Sequence, residues 1–266
     1  PDFIKTNAAW HGLNLLAATC AGSDKLFLQT LSTTSENLDS LGDTLDREFS
    51  QAVPDLILID FAFDNTPRSL SIIKAVAAVC ERFIVPAIIA VNEKFLYLSS
   101  WHDVSKLPYL PHYLETFRFA EWKRFAASSD ASWLAVTCNP FQVEKNQPEG
   151  DRKDAGNDDP SPLISPVWAM GALCAQSVQI CGWPTRFVDS RLCRLKNSTA
   201  LLNLSPEKVT DFSKAGLLPL SMEVSNNTVF FQTETTVAGT SLAYQMLIAG
   251  AVSFFLELNS QIDKTM

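Results

Sequence analysis

"PDLILIDFAFD", residues 54–64, decides how the rest of the chain is read. Residues 56–59 are a short apolar run of the kind a buried strand shows, and Asp60 stands at its end, with Asp64 four residues later. A carboxylate where a buried strand emerges is a common place for chemistry and an equally common place for a strand to stop. Pro67 suits the first turn of a helix, where the amide it lacks would have no intrahelical partner. That helix runs to about Arg82, and "FIVPAIIAVN" (83–92) reads as a second buried strand. A strand, a helix and another strand in this order favour a sheet with parallel members and helices on its faces.

Working outward, Asn7 can cap a first helix carrying Trp10, Leu13 and Leu16 at helical spacing. "KLFLQTLS" (25–32) alternates like a strand. Ser35 opens a helix with Leu38, Leu41, Leu45 and Phe49 on one face and Glu36, Asp39, Asp46 and Glu48 pointing away. On the other side, Pro108 and Pro111 bound a short linker. Leu114, Phe117, Trp122 and Phe125 then suggest a helix over 113–127, and "SWLAVTC" (132–138) a further strand. "EKNQPEGDRKDAGNDDPSP" (144–162) has no large apolar side chain and reads as an exposed, mobile loop. Pro166 opens a helix over 166–180, Gly216 ends a short one, an Asn-Asn turn precedes a strand over 226–234, and a last helix covers 241–260. The expected fold is therefore α/β, a central mixed sheet with parallel members flanked by helices. It forms one core over 1–266, with a sub-division into 1–143 and 163–266 around the 144–162 loop.

Composition narrows the function. A chain of 266 residues that is 47% hydrophobic and 19% charged can bury a sizeable core. Its net charge of -8 argues against binding a phosphate backbone, which calls for a basic face. No CxxC pair occurs among the six cysteines, and three scattered histidines offer no zinc-ligand spacing, so buried thiols in a reducing compartment are expected. Residues 242–258 are too short and too mixed for a membrane span. The chain opens on Pro1 rather than Met, as a piece of a longer protein would.

Asp60 can be tested as a site. Locally, "PDLILID" looks like the phosphoacceptor strand of a receiver domain, and "VPAIIAVNEK" like that family's fourth strand. Receiver chemistry also requires an acidic pair after the first strand to hold Mg²⁺ and a cationic Lys at the end of the fifth. Neither stands at the expected place. A dehalogenase-type phosphatase needs Asp-x-Asp, whereas Asp60 and Asp64 are separated by three residues. No P-loop and no G-x-S-x-G occurs. A receiver-like or phosphatase-like protein using Asp60 is the alternative expectation; otherwise Asp60 is a strand-terminating, capping or pairing carboxylate.

Several separated segments agree in order with one family. "AAWHGLNLL" (8–16), "PDLILIDFAFD" (54–64), "FLYLSSWHDVSKL" (95–107), "FRFAEWKRFAASSDASWLAVTCNPF" (117–141), "SPVWAMGALCAQSVQICGWPTRF" (165–187), "FSKAGLLPLSMEVSNNTVFF" (212–231) and "AGTSLAYQMLIAGAVSFFLEL" (238–258) are together similar to the large sheath subunit of type VI secretion systems, the TssC/VipB family. The chain departs from the family's pattern at Asn139-Pro140-Phe141, where an Arg is missing. It also lacks the terminal regions that in the family exchange strands between subunits and meet the small subunit.

The resemblance implies a cytoplasmic structural subunit with no catalytic, cofactor or metal residue. Implied partners are copies of itself, a small sheath subunit, a disassembly ATPase and an inner-tube protein, with no nucleic acid and no membrane insertion. A non-polymerising adaptor of the same apparatus is a further alternative. The six tryptophans then read as large anchors, most of them on apolar faces. Asp60, Asp64, Arg118, Lys123 and Arg124 are the expected subunit contacts, the last three on a charged helix face shared with Glu115 and Glu121.

Overall fold

A computed structural model describes residues 2–34, 36–144 and 161–263. Its centre is a four-stranded sheet, wholly parallel, in the order β1 (Ile57–Phe63), β2 (Ala87–Val91), β3 (Leu134–Cys138) and β7 (Leu217–Pro219). β2 and β3 are buried at every position, which explains their unbroken apolar sequences. The antiparallel pairs are segregated. β4 (Phe141–Val143) pairs with β6 (Ser198–Ala200), while β5 (Leu195–Lys196), β9 (Thr228–Phe230) and β8 (Ser221–Glu223) form a small three-stranded sheet. The α/β class expected from the sequence holds, with all the parallel pairing in the central sheet.

Side chains alternate between two cores, one on each face of that sheet. Ile59, Phe63, Ile89, Val91, Val136 and Leu217 face a core completed by α2 (Leu41–Phe49), α3 (Pro67–Phe83), α4 (Leu110–Leu114), α5 (Ala120–Ala126) and α7 (Pro206–Lys214). Ile88, Ala90, Ala135 and Leu218 face the opposite core with α1 (Asp2–Cys20), α6 (Pro166–Cys181) and the first turns of α8 (Leu242–Asp263). α3 begins as its sequence directs, with Thr66 accepting from the Ser69 amide and Pro67 following. α6 is capped by Ser165 and leaves through Gly182 at φ 80°, a left-handed conformation that costs glycine least.

Several expectations fail for physical reasons. β1 does not stop at Asp60. It continues to Phe63, which is buried in the first core, and its pairing with β2 slips between Ile59 and Ala62, so Asp60 and Phe61 form a bulge. α1 starts at Asp2, which puts Asn7 inside the helix rather than at its cap. Residues 25–32 form no strand. A strand needs a neighbour to complete its ladder, none of the described segments provides one, and Phe27 is 90% exposed.

Ser35 lies outside the described residues; the helix it was expected to open starts as a 3₁₀ turn at Leu38 and continues as α2. The helix expected over 113–127 is broken into α4, a 3₁₀ turn (Phe117–Phe119) and α5, with Thr116 extended between them. The break brings Phe119 beside Phe95, Tyr97 and Tyr113 and leaves Phe117 86% exposed. The strand expected over 226–234 shrinks to β9, preceded as expected by a turn with Asn227 at φ 45°. Of the loop expected at 144–162, residues 145–160 lie outside the described residues.

Candidate functional site

The two carboxylates of the opening stretch, alike in sequence, sit in different settings. Asp64 follows β1 and accepts hydrogen bonds from the Thr66 amide at 3.1 Å, the Thr66 hydroxyl at 2.6 Å and the Ser69 hydroxyl at 2.6 Å. It is built into the start of α3, where a carboxylate also meets the positive end of the helix dipole. Partial burial works to raise its pKa, but the bonds from Ser69 and Thr66 outweigh it, and the net direction is down.

Asp60 lies in the β1 bulge on the other face, with Ser165 and Trp168 of the α6 N-terminus as its polar neighbours. Burial pushes its carboxyl above the ordinary aspartate range, and those two side chains offset only part of the shift. The Trp168 indole N–H faces the carboxylate without closing a bond of standard geometry, and its nitrogen is buried with no other partner among the described residues. No cation contributes to the shift of Asp60. Its neighbours are thus an indole and a hydroxyl, rather than the acidic pair and lysine that phosphoacceptor chemistry requires. Among the described residues, no group of three or more His, Cys, Asp or Glu side chains could hold a metal ion.

What surrounds Asp60 is a packing device that the sequence reading missed. A Cβ built on Gly12 of α1 would lie 2.2 Å from the Trp168 ring, and one on Gly171 of α6 would lie 2.3 Å from a Leu58 methyl. α1, α6 and β1 are therefore in close contact only because two glycines leave room for an indole and a leucine. In "AAWHGLNLL" the essential residue is the glycine; Trp10 is 60% exposed. Trp183 is also half exposed, whereas Trp101 and Trp122 are buried as expected. Five of the six cysteines are buried, with Cys80 pushed up to about 12 by burial, while Cys181 is exposed.

Asn139, which precedes Pro140, has a clear task. Fully buried at φ 70°, it donates to the Leu202 and Leu220 carbonyls at 2.9 and 2.6 Å and accepts from the Leu202 amide at 2.9 Å. It ties the end of β3 to two later segments. An Asn-Pro pair after a buried strand was the available signal, since asparagine tolerates the left-handed region.

The three cationic candidates are each exposed, Arg118 on the 3₁₀ turn and Lys123 and Arg124 on α5, so the single helix face expected for them is broken. Arg124 pairs with Glu121 at 3.0 Å, and Glu121 also takes Lys74 of α3 at 3.0 Å. The Arg118 guanidinium stacks 5.6 Å from the Tyr97 ring, and the Arg118 carbonyl accepts from the Asn65 amide and the Tyr97 hydroxyl. Lys123 is exposed and has no ion-pair partner among the described residues. The structure does not bring these cations to Asp60, which lies on the opposite face of the sheet.

Asp60 thus sits in a buried packing junction with Trp168, and the exposed charges lie away from it. Residues 46–155 match the family model described as "EvpB/VC_A0108, tail sheath N-terminal domain". The type VI secretion system sheath protein TssC1 of Pseudomonas aeruginosa is 20% identical, over 70% of this chain and 43% of that protein. A cryo-EM structure of the anti-feeding prophage baseplate, 6-fold symmetrised, contains a chain 11% identical, with a TM-score of 0.48, covering 91% of this chain and 54% of that one. The chain spans less than half the length of that curated relative. Both sequence matches are to contractile-sheath proteins, and residues 46–155 are similar to a sheath N-terminal domain. Among the described residues, no helix is long and apolar enough to cross a membrane.

Proposed function

We propose that residues 1–266 are one sheath-subunit core, acting in the cytoplasm. It assembles with copies of itself and a small sheath subunit into a tube around an inner-tube protein, contracts to drive effector secretion, and is recycled by a disassembly ATPase. The observation that carries this reading is the sheath-domain match over residues 46–155, which spans the β1–α3–β2 unit and β3. Energy for contraction would reside in two discrete arrangements of the subunit interfaces, not in bond chemistry. No residue is assigned a catalytic role.

Of the five candidate contacts, Arg118, Lys123 and Arg124 are exposed and suit a neighbouring subunit, chiefly by setting register and encounter rate. Asp64 is occupied by the start of α3 and Asp60 by α6, so their proposed contribution is to hold β1 and its flanking helices in shape. Electron microscopy of the full-length protein co-expressed with its small-subunit partner tests the reading: tubes are expected. Failure to form either tubes or a stable complex would overturn it. A stable complex without tubes would favour a non-polymerising adaptor.

A further inference from the structure

The central sheet ends on β1, and the outer edge of that strand is open. Among the described residues no backbone hydrogen bond joins another segment to that side. The Ile57 amide donates to the Pro86 carbonyl beside β2 at 3.0 Å, so by the alternation of a strand the Leu58 amide points outward. A row of unpaired backbone groups along a sheet edge is a template for another strand, and folded proteins generally cover it.

The chain itself passes this edge, and the contacts of the flanking helices fix its direction. Trp168 of α6 lies by Asp60 and Gly171 by Leu58, so α6 runs antiparallel to β1. α1 runs beside α6 in the same sense, with Gly12 against Trp168 and the Thr19 carbonyl accepting from Gln179 at 2.6 Å. The end of α1 therefore lies at the level where β1 begins. On the other face α2 runs parallel to α3: Asp39 meets Arg68 at their starts, and the Phe49 and Phe83 rings meet at their ends, 5.6 Å apart. α3 leads from the end of β1 back to the start of β2, so α2 begins at the level where β1 ends. Residues 21–37 must then climb alongside β1 from its start to its end, passing from the α1–α6 face to the α2–α3 face. A strand here, followed by α2 and β1, would be a crossover of the same hand and on the same face as β1–α3–β2.

Residues 26–31 carry the pattern that such a strand needs. Leu26 and Leu28 would share the face of Leu58, and Leu26 already packs against the second core. Phe27 and Leu31 would share the face of Ile57 and Ile59, on the side of α2. In the structure Phe27 and Leu31 face water instead, and the ladder these residues lack is the one β1 leaves open. We propose that residues 26–31 are a strap that docks in parallel on the outer edge of β1 as a fifth strand, and that the structure holds its open position. Docking pairs the outward backbone groups of β1, buries Phe27 beside α2 and closes the edge to any other strand. The device belongs to a single chain and does not depend on assembly.

Amide hydrogen exchange of the chain, followed residue by residue by NMR, tests it. In wild type every second amide over 26–31 should be protected, because an edge strand bonds its one neighbour through alternate residues, and the Leu58 amide should be protected with them. Phe27→Asp removes the ring that docking buries, at a position that is solvated when the strap is open. It should speed exchange at these amides by about tenfold or more, the size expected from losing a buried phenylalanine, and leave β2 and β3 unchanged. Phe27→Leu should keep most of the protection, and circular dichroism checks that both variants are folded. Wild-type amides over 26–31 that exchange as fast as an unstructured chain overturn the proposal. Uniform protection without alternation overturns it too, since that is packing without a ladder, as does a folded Phe27→Asp variant that exchanges like wild type. Because the measurement is made on one chain, absence of tubes would sink the sheath reading and leave this result standing.

Discussion

The two faces of the central sheet are finished differently. On the α2–α3–α5 face the helices bury one side and turn a charged side to water. Arg68 pairs with Asp39, Arg82 with Asp46, and Lys74 and Arg124 with Glu121. Beneath them lies an aromatic cluster of Phe95, Phe119, Trp122 and Phe125. On the other face α6 is buried along most of its length, packed by glycines against β1 and α1, while the end of α8 presents apolar side chains to solvent. The first face is complete as a monomer surface. The second achieves tight internal packing and leaves Leu247, Phe254 and Leu258 of α8 exposed.

The comparison can be broken most strongly in the aromatic cluster. Trp122→Ala should cost about 4 kcal/mol in urea unfolding, because it leaves a large cavity against Phe95 and Phe125. On the glycine-packed face, Gly12→Leu should cost about 3 kcal/mol, since the new side chain enters the Trp168 ring. Combining it with Trp168→Ala should cost less than the sum of the two single changes. Strict additivity would show that α1 and α6 are not held together at that point. Asn139→Ala should cost about 2 kcal/mol by leaving the Leu202 and Leu220 backbone groups unpaired in the interior.

The two aspartates should respond to pH with opposite signs. The folded pKa of Asp60 is raised, so its ionised form opposes folding at neutral pH, and that penalty is relieved as the pH falls through the raised value. Asp60→Asn should therefore raise the neutral-pH urea midpoint and abolish the relative gain near about pH 4. The folded pKa of Asp64 is lowered, so its contribution is present above the unfolded value and lost as the pH falls through the folded one. Asp64→Ala should cost about 1 kcal/mol at neutral pH, the usual worth of a helix-start acceptor, and less in acid. Midpoints that move in the same direction for both variants would contradict the two environments. The smallest effect is expected on the finished face, where Arg68→Ala breaks an exposed pair and should leave the midpoint unchanged within measurement error.

Much of this was legible in the sequence because it is local. Thr66-Pro67 and Ser165-Pro166 start helices wherever they stand, and the unbroken apolar runs of β2 and β3 suit only strands covered on both faces. Helical periodicity put Phe117 on the apolar face, and the break at Thr116 buried Phe119 instead. The short strands β4 to β8 were not legible either, since two or three residues carry no period and exist only through their partners. Residues 25–32 show the converse, a strand-like pattern with no neighbour to pair with.

By itself the sequence determined the α/β class, the starts of its main helices and an ordered set of segments that resemble a sheath subunit. It could not place Asp60. A carboxylate after four aliphatic residues is equally a strand end, a nucleophile or a packed core group, because its chemistry depends on neighbours more than a hundred positions away. Tertiary structure decided the matter by bulging β1 at that residue and setting the α6 N-terminus, with Trp168 resting on Gly12, against it. Local propensities are written residue by residue, whereas burial, charge partners and the room beside a glycine are properties of pairs that only folding brings together.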